Sequence, residues 1–118
     1  MIESLTTIAN RHDFSTTFTA EYDNDQTAAT IITPTSGKKI KVTGVRLSTE
    51  GGASGGEKVR IYFATSANTI ATIYITNAVQ NTVLEDIVVT GAVDEVVKLT
   101  TNLGAGKNYF LSVNYREE

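Results

Sequence analysis

The chain has 118 residues, 41% hydrophobic and 19% charged, and ten Lys and Arg against thirteen Asp and Glu give a formal charge of −3. That length supports one ordinary hydrophobic core and is short for two. The basic residues are scattered, so the electrostatic stripe that binds nucleic acid is missing, and the absence of Cys excludes a disulfide framework or a thiolate metal site while leaving the redox compartment open.

Residues 1–13 differ from the rest of the chain. Ile2, Leu5, Ile8 and Ala9 fall at spacings that line one side of a short helix, yet the stretch is Thr-rich and too short to be an autonomous helix. It reads as an arm whose conformation depends on what it touches, or as a frayed terminus. Met1-Ile2-Glu3-Ser4-Leu5 has no basic segment leading into a continuous apolar one, and no later run approaches about 18 apolar residues. Neither a signal peptide nor a membrane span is expected.

Residues 14–118 read as a single all-β domain. Phe14, Thr16, Phe18, Ala20 and Tyr22 place bulky groups on one face of a first strand, and Asp23-Asn24-Asp25 supplies a turn through side chains that bond their own backbone. A second strand at 27–33 ends at Pro34, which cannot donate to a ladder, and Thr35-Ser36-Gly37 completes the turn. In the third, 39–49, the inward parity changes between the Ile40/Val42 pair and the Val45/Leu47 pair, and a β-bulge at Gly44 would return both pairs to the core.

The segment Glu50-Gly51-Gly52-Ala53-Ser54-Gly55-Gly56 has the composition of a flexible loop. Strand 57–65 then alternates cleanly, Val59, Ile61 and Phe63 facing one way and Lys58, Arg60 and Tyr62 the other. Further strands fit at 70–76, 83–89, 95–101 and 107–115. About eight short antiparallel strands suit a two-sheet sandwich of jelly-roll type, with an Ig-like sandwich as the competitor.

Little along the chain points to chemistry. His12 is the single histidine, so neither a triad nor a multi-His zinc site can be assembled. Asp23-Asn24-Asp25 is the best calcium candidate, but Gln26 and Thr27 break the EF-hand series and no Gly or distal Glu follows at the required offsets; an ordinary turn is the simpler reading. Glu85-Asp86 and Asp94-Glu95 are adjacent pairs, which a strand points to opposite faces, so neither acts as an acid/base unit. Gly104-Ala105-Gly106-Lys107 and Ser36-Gly37-Lys38-Lys39 lack the spacing and the following helix of a phosphate loop and read as hairpin turns. No catalytic, metal or cofactor-binding residue is assigned.

The aromatic residues remain. Tyr109, Leu111, Val113 and Tyr115 share one face of the last strand, leaving Phe110 on the other, and Tyr62 and Tyr74 sit opposite the core face of their strands. Tyr62, Tyr74 and Phe110 admit three readings: a subunit interface, partly exposed aromatics without a partner, or a sugar-binding platform.

The stretch from Ala29 to Val45, with its Thr33-Pro34-Thr35-Ser36-Gly37 turn entering Gly37-Lys38-Lys39-Ile40-Lys41-Val42, resembles a module of tailed-bacteriophage virion proteins. Gly104-Ala105-Gly106-Lys107, followed by a strand closing on Val113-Asn114-Tyr115-Arg116-Glu117, is similar to their C-terminal strand. The resemblance spans about residues 27–118 and implies a small accessory virion component: a capsid decoration or a neck or tail attachment module, β-sandwich and symmetric. The expectation is a non-enzymatic viral structural protein located in the virion. It would form a homo-oligomer, with a trimer favoured, and dock on other virion proteins such as the major capsid protein. Ile2, Leu5, Ile8, Tyr62, Tyr74 and Phe110 are its interface candidates. A carbohydrate- or receptor-binding module is the alternative.

Overall fold

The structure, a computed structural model, describes residues 16–65 and 68–118. The described residues form nine strands: β1 (Thr16–Tyr22), β2 (Ala29–Ile32), β3 (Ile40–Thr49), β4 (Glu57–Phe63), β5 (Thr69–Ile75), β6 (Gln80–Leu84), β7 (Val89–Thr90), β8 (Val97–Thr101) and β9 (Tyr109–Glu117). They form two sheets, one ordered β1-β9-β3-β6 with β7 also on β3, the other β2-β8-β4-β5. All seven ladders are antiparallel.

β6 pairs with Val45–Thr49 of β3 and β7 with Lys41–Val42, so the two behave as one strand interrupted at 85–88, where Asp86 has a φ of 58°. Counted that way, eight strands take the interleaved order of a jelly roll, the chain changing sheet at every step except β4 to β5. An Ig-like sandwich would pair several consecutive strands. Here, among the described strands, only β4 and β5 are both consecutive and paired.

The core follows from alternation. Val59, Ile61 and Phe63 of β4 join Ile73 and Ile75 of β5, Val97 and Leu99 of β8, and Leu111 and Val113 of β9 in one buried cluster. Phe18, Tyr22 and Tyr115 pack at its margin. In β3, Val42 lies opposite Tyr115 but Gly44 lies opposite Asn114, which leaves Thr43 as the extra residue of a bulge. Ile40, Val42, Val45 and Leu47 are all buried as a result.

Several expectations are corrected. The expected strand at 83–89 begins earlier and is broken, because the chain leaves β3 after Leu84 and returns at Val89. The turns at 36–39 and 104–107 are not hairpins: each carries the chain from one sheet to the other. Asp25 does not bond its own turn but reaches the β8–β9 connection. The Gly-rich segment 50–56 is held by backbone bonds to two other connections: Gly52 N to Thr76 O at 2.8 Å in one, and Ala53 N to Leu103 O at 2.9 Å and Glu50 N to Asn108 O at 3.1 Å in the other. Gly51 also has a φ of 106°, and a Cβ there would come within 2.8 Å of the Ala78 carbonyl oxygen, so its glycine serves a fixed path and not looseness.

Candidate interaction surfaces

Connections 23–28, 50–56, 76–79 and 102–108 meet at one end of the sandwich. Asp25 organises them: its Oδ1 accepts the Leu103 amide at 2.6 Å and the Thr101 hydroxyl at 3.3 Å, and its Oδ2 accepts the Gly104 amide at 3.1 Å. The Tyr109 hydroxyl donates to Asn24 O at 2.9 Å and its ring stacks on Tyr22 at 5.1 Å. Burial raises the Tyr109 pKa. Both Asp25 oxygens are therefore engaged with backbone donors. Among the described residues, no three His, Cys, Asp or Glu side chains gather where they could hold a metal.

Glu57 has inward parity on β4, beside Val59, yet it is a carboxylate. Its Oε1 accepts the Ser54 amide at 2.6 Å and the Ser54 hydroxyl at 2.9 Å, and these donors hold its carboxyl below the usual glutamate range. Gly52 leaves room for this carboxylate, which a side chain there would strike. The acid is thus part of the loop's scaffold. A sign was present in the sequence, where Glu57 opens an otherwise apolar alternating series.

The outer face of the β1-β9-β3-β6 sheet carries Thr17, Thr19 and Glu21 from β1, Phe110, Ser112 and Asn114 from β9, Arg46 and Ser48 from β3, and Asn81 and Val83 from β6. Across one row the register runs Glu21, Phe110, Ser48, Asn81. Phe110 is 42% exposed and Val79, in the adjoining connection, 75%. With Glu21 and Glu50 they line an open groove of about 290 Å³. The cations of this face have carboxylate partners: Arg46 with Glu85 at 3.3 Å, Lys41 with Glu118 at 3.4 Å, Arg116 with Glu118 at 3.1 Å.

The outer face of the other sheet is of different character. Its strand positions are Thr30, Lys98, Thr100, Lys58, Arg60, Tyr62, Thr69, Thr72 and Tyr74. Three are cations and none is a carboxylate. The Arg60 guanidinium lies 4.3 Å from the Tyr62 ring centre and bonds Thr69 Oγ1, while the Tyr62 hydroxyl is 3.1 Å from Thr100 Oγ1. Tyr74, opposite Lys58, is 67% exposed. A groove of about 270 Å³ runs beside Lys58 and Arg60, bounded by Thr100 and Asn102.

The aromatic residues singled out from sequence do not converge. Tyr62 and Tyr74 lie on one face and Phe110 on the other, with the core between them. Tyr62 is half-buried and committed to Arg60 and Thr100, so Tyr74 and Phe110 are the free aromatic surfaces. Val79 was missed because it lies in a connection, where alternation gives no sign. Ile2, Leu5, Ile8 and His12 lie outside the described residues.

These features define an antiparallel jelly-roll sandwich with two chemically distinct outer faces. A chain of the acidic stable capsid structure of Helicobacter pylori bacteriophage KHP30 shares this fold: TM-score 0.62, 20% identity, the match covering 86% of this chain and 86% of that one. No family model matches the chain, and no curated protein matches it in sequence. Among the described residues no helix is long and apolar enough to cross a membrane.

Proposed function

We propose that this protein is a non-enzymatic viral structural component, a capsid decoration or other accessory virion protein that self-associates, with a trimer favoured, and docks on a larger assembly such as the major capsid shell. The observation that carries the reading is the jelly roll shared over 86% of both chains with a chain of a phage capsid structure. The exposed Phe110, Val79 and Tyr74 support it, since large apolar groups on outward strand and loop positions mark protein contacts. The arm at 1–13 would add Ile2, Leu5 and Ile8. Burial of their apolar surface, about 25 cal/mol per Å², must exceed an ordering cost of about 1–2 kcal/mol per residue.

The test is cosedimentation with shells assembled from the major capsid protein of the same genome. Saturable, stoichiometric binding is expected, weakened in a chain lacking residues 1–13 whose thermal midpoint is unchanged. No binding at saturating concentration would sink the virion role, and full binding by the truncated chain would sink the role of the arm.

A second reading, a carbohydrate- or receptor-binding module, draws on Tyr74 beside the Lys58 groove. The absence of Trp counts against it, because indole offers the best stacking face. Glycan-array binding lost in Tyr74→Ala would favour it.

A further inference from the structure

The two outer faces are complementary to one another. Among the described residues, the β2-β8-β4-β5 face presents Lys58 and Lys98 with Tyr74 and has no carboxylate at its strand positions, in a chain whose formal charge is −3. On the opposite face, Arg46, Lys41 and Arg116 are matched by carboxylates. Glu21 and Glu50, by contrast, line the groove of the exposed Phe110 and Val79, Asp23 lies beside Glu21 in the adjoining depression, and none of the three has an ion-pair partner among the described residues. One face is thus an aromatic patch rimmed by positive charge, the other an aromatic patch rimmed by negative charge.

We infer that the partner of the cationic Lys58–Lys98–Tyr74 face is the acidic Glu21–Asp23–Phe110 face of a second copy of this chain. The inference rests on the self-association proposed above and gives it a geometry. Because the two patches lie on opposite sides of the sandwich, one copy cannot present the same patch its partner presents; the contact is head-to-tail. Such contacts generate a ring when the rotation closes and a filament when it does not.

The position of the patches along the strands sets the height of the contact. Lys58 and Tyr74 lie next to the ends of β4 and β5 that join connections 50–56 and 76–79, Lys98 lies further along the same face opposite Tyr62, and Glu21, Phe110 and Glu50 lie at the Lys58 end. Successive copies therefore meet at nearly the same height along the strands. Whether the contact closes as a ring or extends as a filament is set by the rotation between copies, which the molar mass reads. Apolar contact of Tyr74 with Phe110 and Val79 at the centre, with charge pairs at the rim, is the ordinary anatomy of a specific interface.

The test is molar mass by size-exclusion chromatography with light scattering, over a roughly hundredfold dilution series. Lys58→Glu with Lys98→Glu reverses one face, and Glu21→Lys with Asp23→Lys reverses the other. Each double reversal should weaken assembly by roughly tenfold or more through like-charge contact. The chain carrying all four substitutions should regain the oligomer, since both faces are then exchanged. Circular dichroism and urea midpoints verify that every variant is folded, as expected for outward-facing positions. A wild-type monomer at every concentration, an oligomer that neither reversal changes, or a folded four-substitution chain that stays monomeric would each overturn the interface. A monomer that still saturates capsid shells overturns this interface and leaves the virion role standing; a charge-dependent oligomer that ignores shells does the reverse.

Discussion

Asp25 accepts the Leu103 amide at 2.6 Å across a sequence separation of 78 residues, and through that bond the β1–β2 turn holds the β8–β9 connection in place. The same carboxylate also takes the Gly104 amide and the Thr101 hydroxyl. Removing it orphans two backbone donors at once. Asp25→Ala should therefore lower the urea unfolding free energy by about 1–3 kcal/mol, with Asp25→Asn, which keeps one acceptor oxygen, losing less. Millimolar calcium should leave the wild-type thermal midpoint unchanged, because both oxygens are occupied; a rise that Asp25→Asn abolishes would show that the turn binds the ion after all.

Thr43 is the extra residue that lets both halves of β3 face inward. Deleting it would force a one-residue slip on one side of Gly44, and a slip of one turns a strand's whole apolar set toward water. Either Ile40 and Val42 or Val45 and Leu47, all buried, would be expelled. The deletion should abolish cooperative unfolding, whereas Thr43→Val, which keeps the count, should retain it. A deletion variant with a near-wild-type urea transition would show that the register is not held by this bulge.

Gly91 packs against the buried ring of Phe63. A Cβ there would fall 2.6 Å from Phe63 Cδ1 and Cε1 and 3.1 Å from Glu95 Oε1, and Phe63 is fully buried among neighbours that leave it no room to retreat. Gly91→Ala should cost about 1–3 kcal/mol through overpacking. The double variant with Phe63→Leu should recover part of that loss relative to Phe63→Leu alone. Additive costs in the double-variant cycle would separate the two sites.

Two carboxylates contribute to the loss of stability in acid. The Ser54 amide holds Glu57 below its ordinary pKa, and the Thr35 amide does the same for Glu117. A lowered folded-state value means that the unfolded chain takes up protons first as pH falls. The stabilisation is therefore complete above the ordinary glutamate value of 4.5 and is lost as pH drops through the folded values beneath it. Urea midpoints should be flat near neutrality with respect to these groups and should decline below about pH 4.5. Glu57→Gln combined with Glu117→Gln should make that decline shallower; an unchanged slope would count against the assignment.

Strand existence, the inward set of β4 and β9, and even the bulge in β3 were legible in the residues, because alternation with a period of two is a local property of a half-buried strand. The single proline and the parity change at Gly44 sufficed to mark where β2 stops and β3 bends. Local pattern carries no information on which strands pair. The turns at 36–39 and 104–107 have hairpin-like composition, yet each crosses between sheets, since a crossover is decided by burial of two inner faces against each other and not by the turn itself.

The candidate surfaces divide in the same way. From the chain alone, Tyr62, Tyr74 and Phe110 were recognisable as outward aromatics, because each breaks the polar parity of its strand. That Tyr62 is occupied by Arg60 and Thr100, that Tyr74 and Phe110 lie on opposite sides, and that Val79 joins Phe110 depend on neighbours distant in sequence. Element type, the core set and the lack of a local catalytic motif are written in the order of the residues. The jelly-roll order, the engagement of Asp25 and the segregation of charge between two faces are products of folding, because each arises from strands brought side by side by the closing of one core.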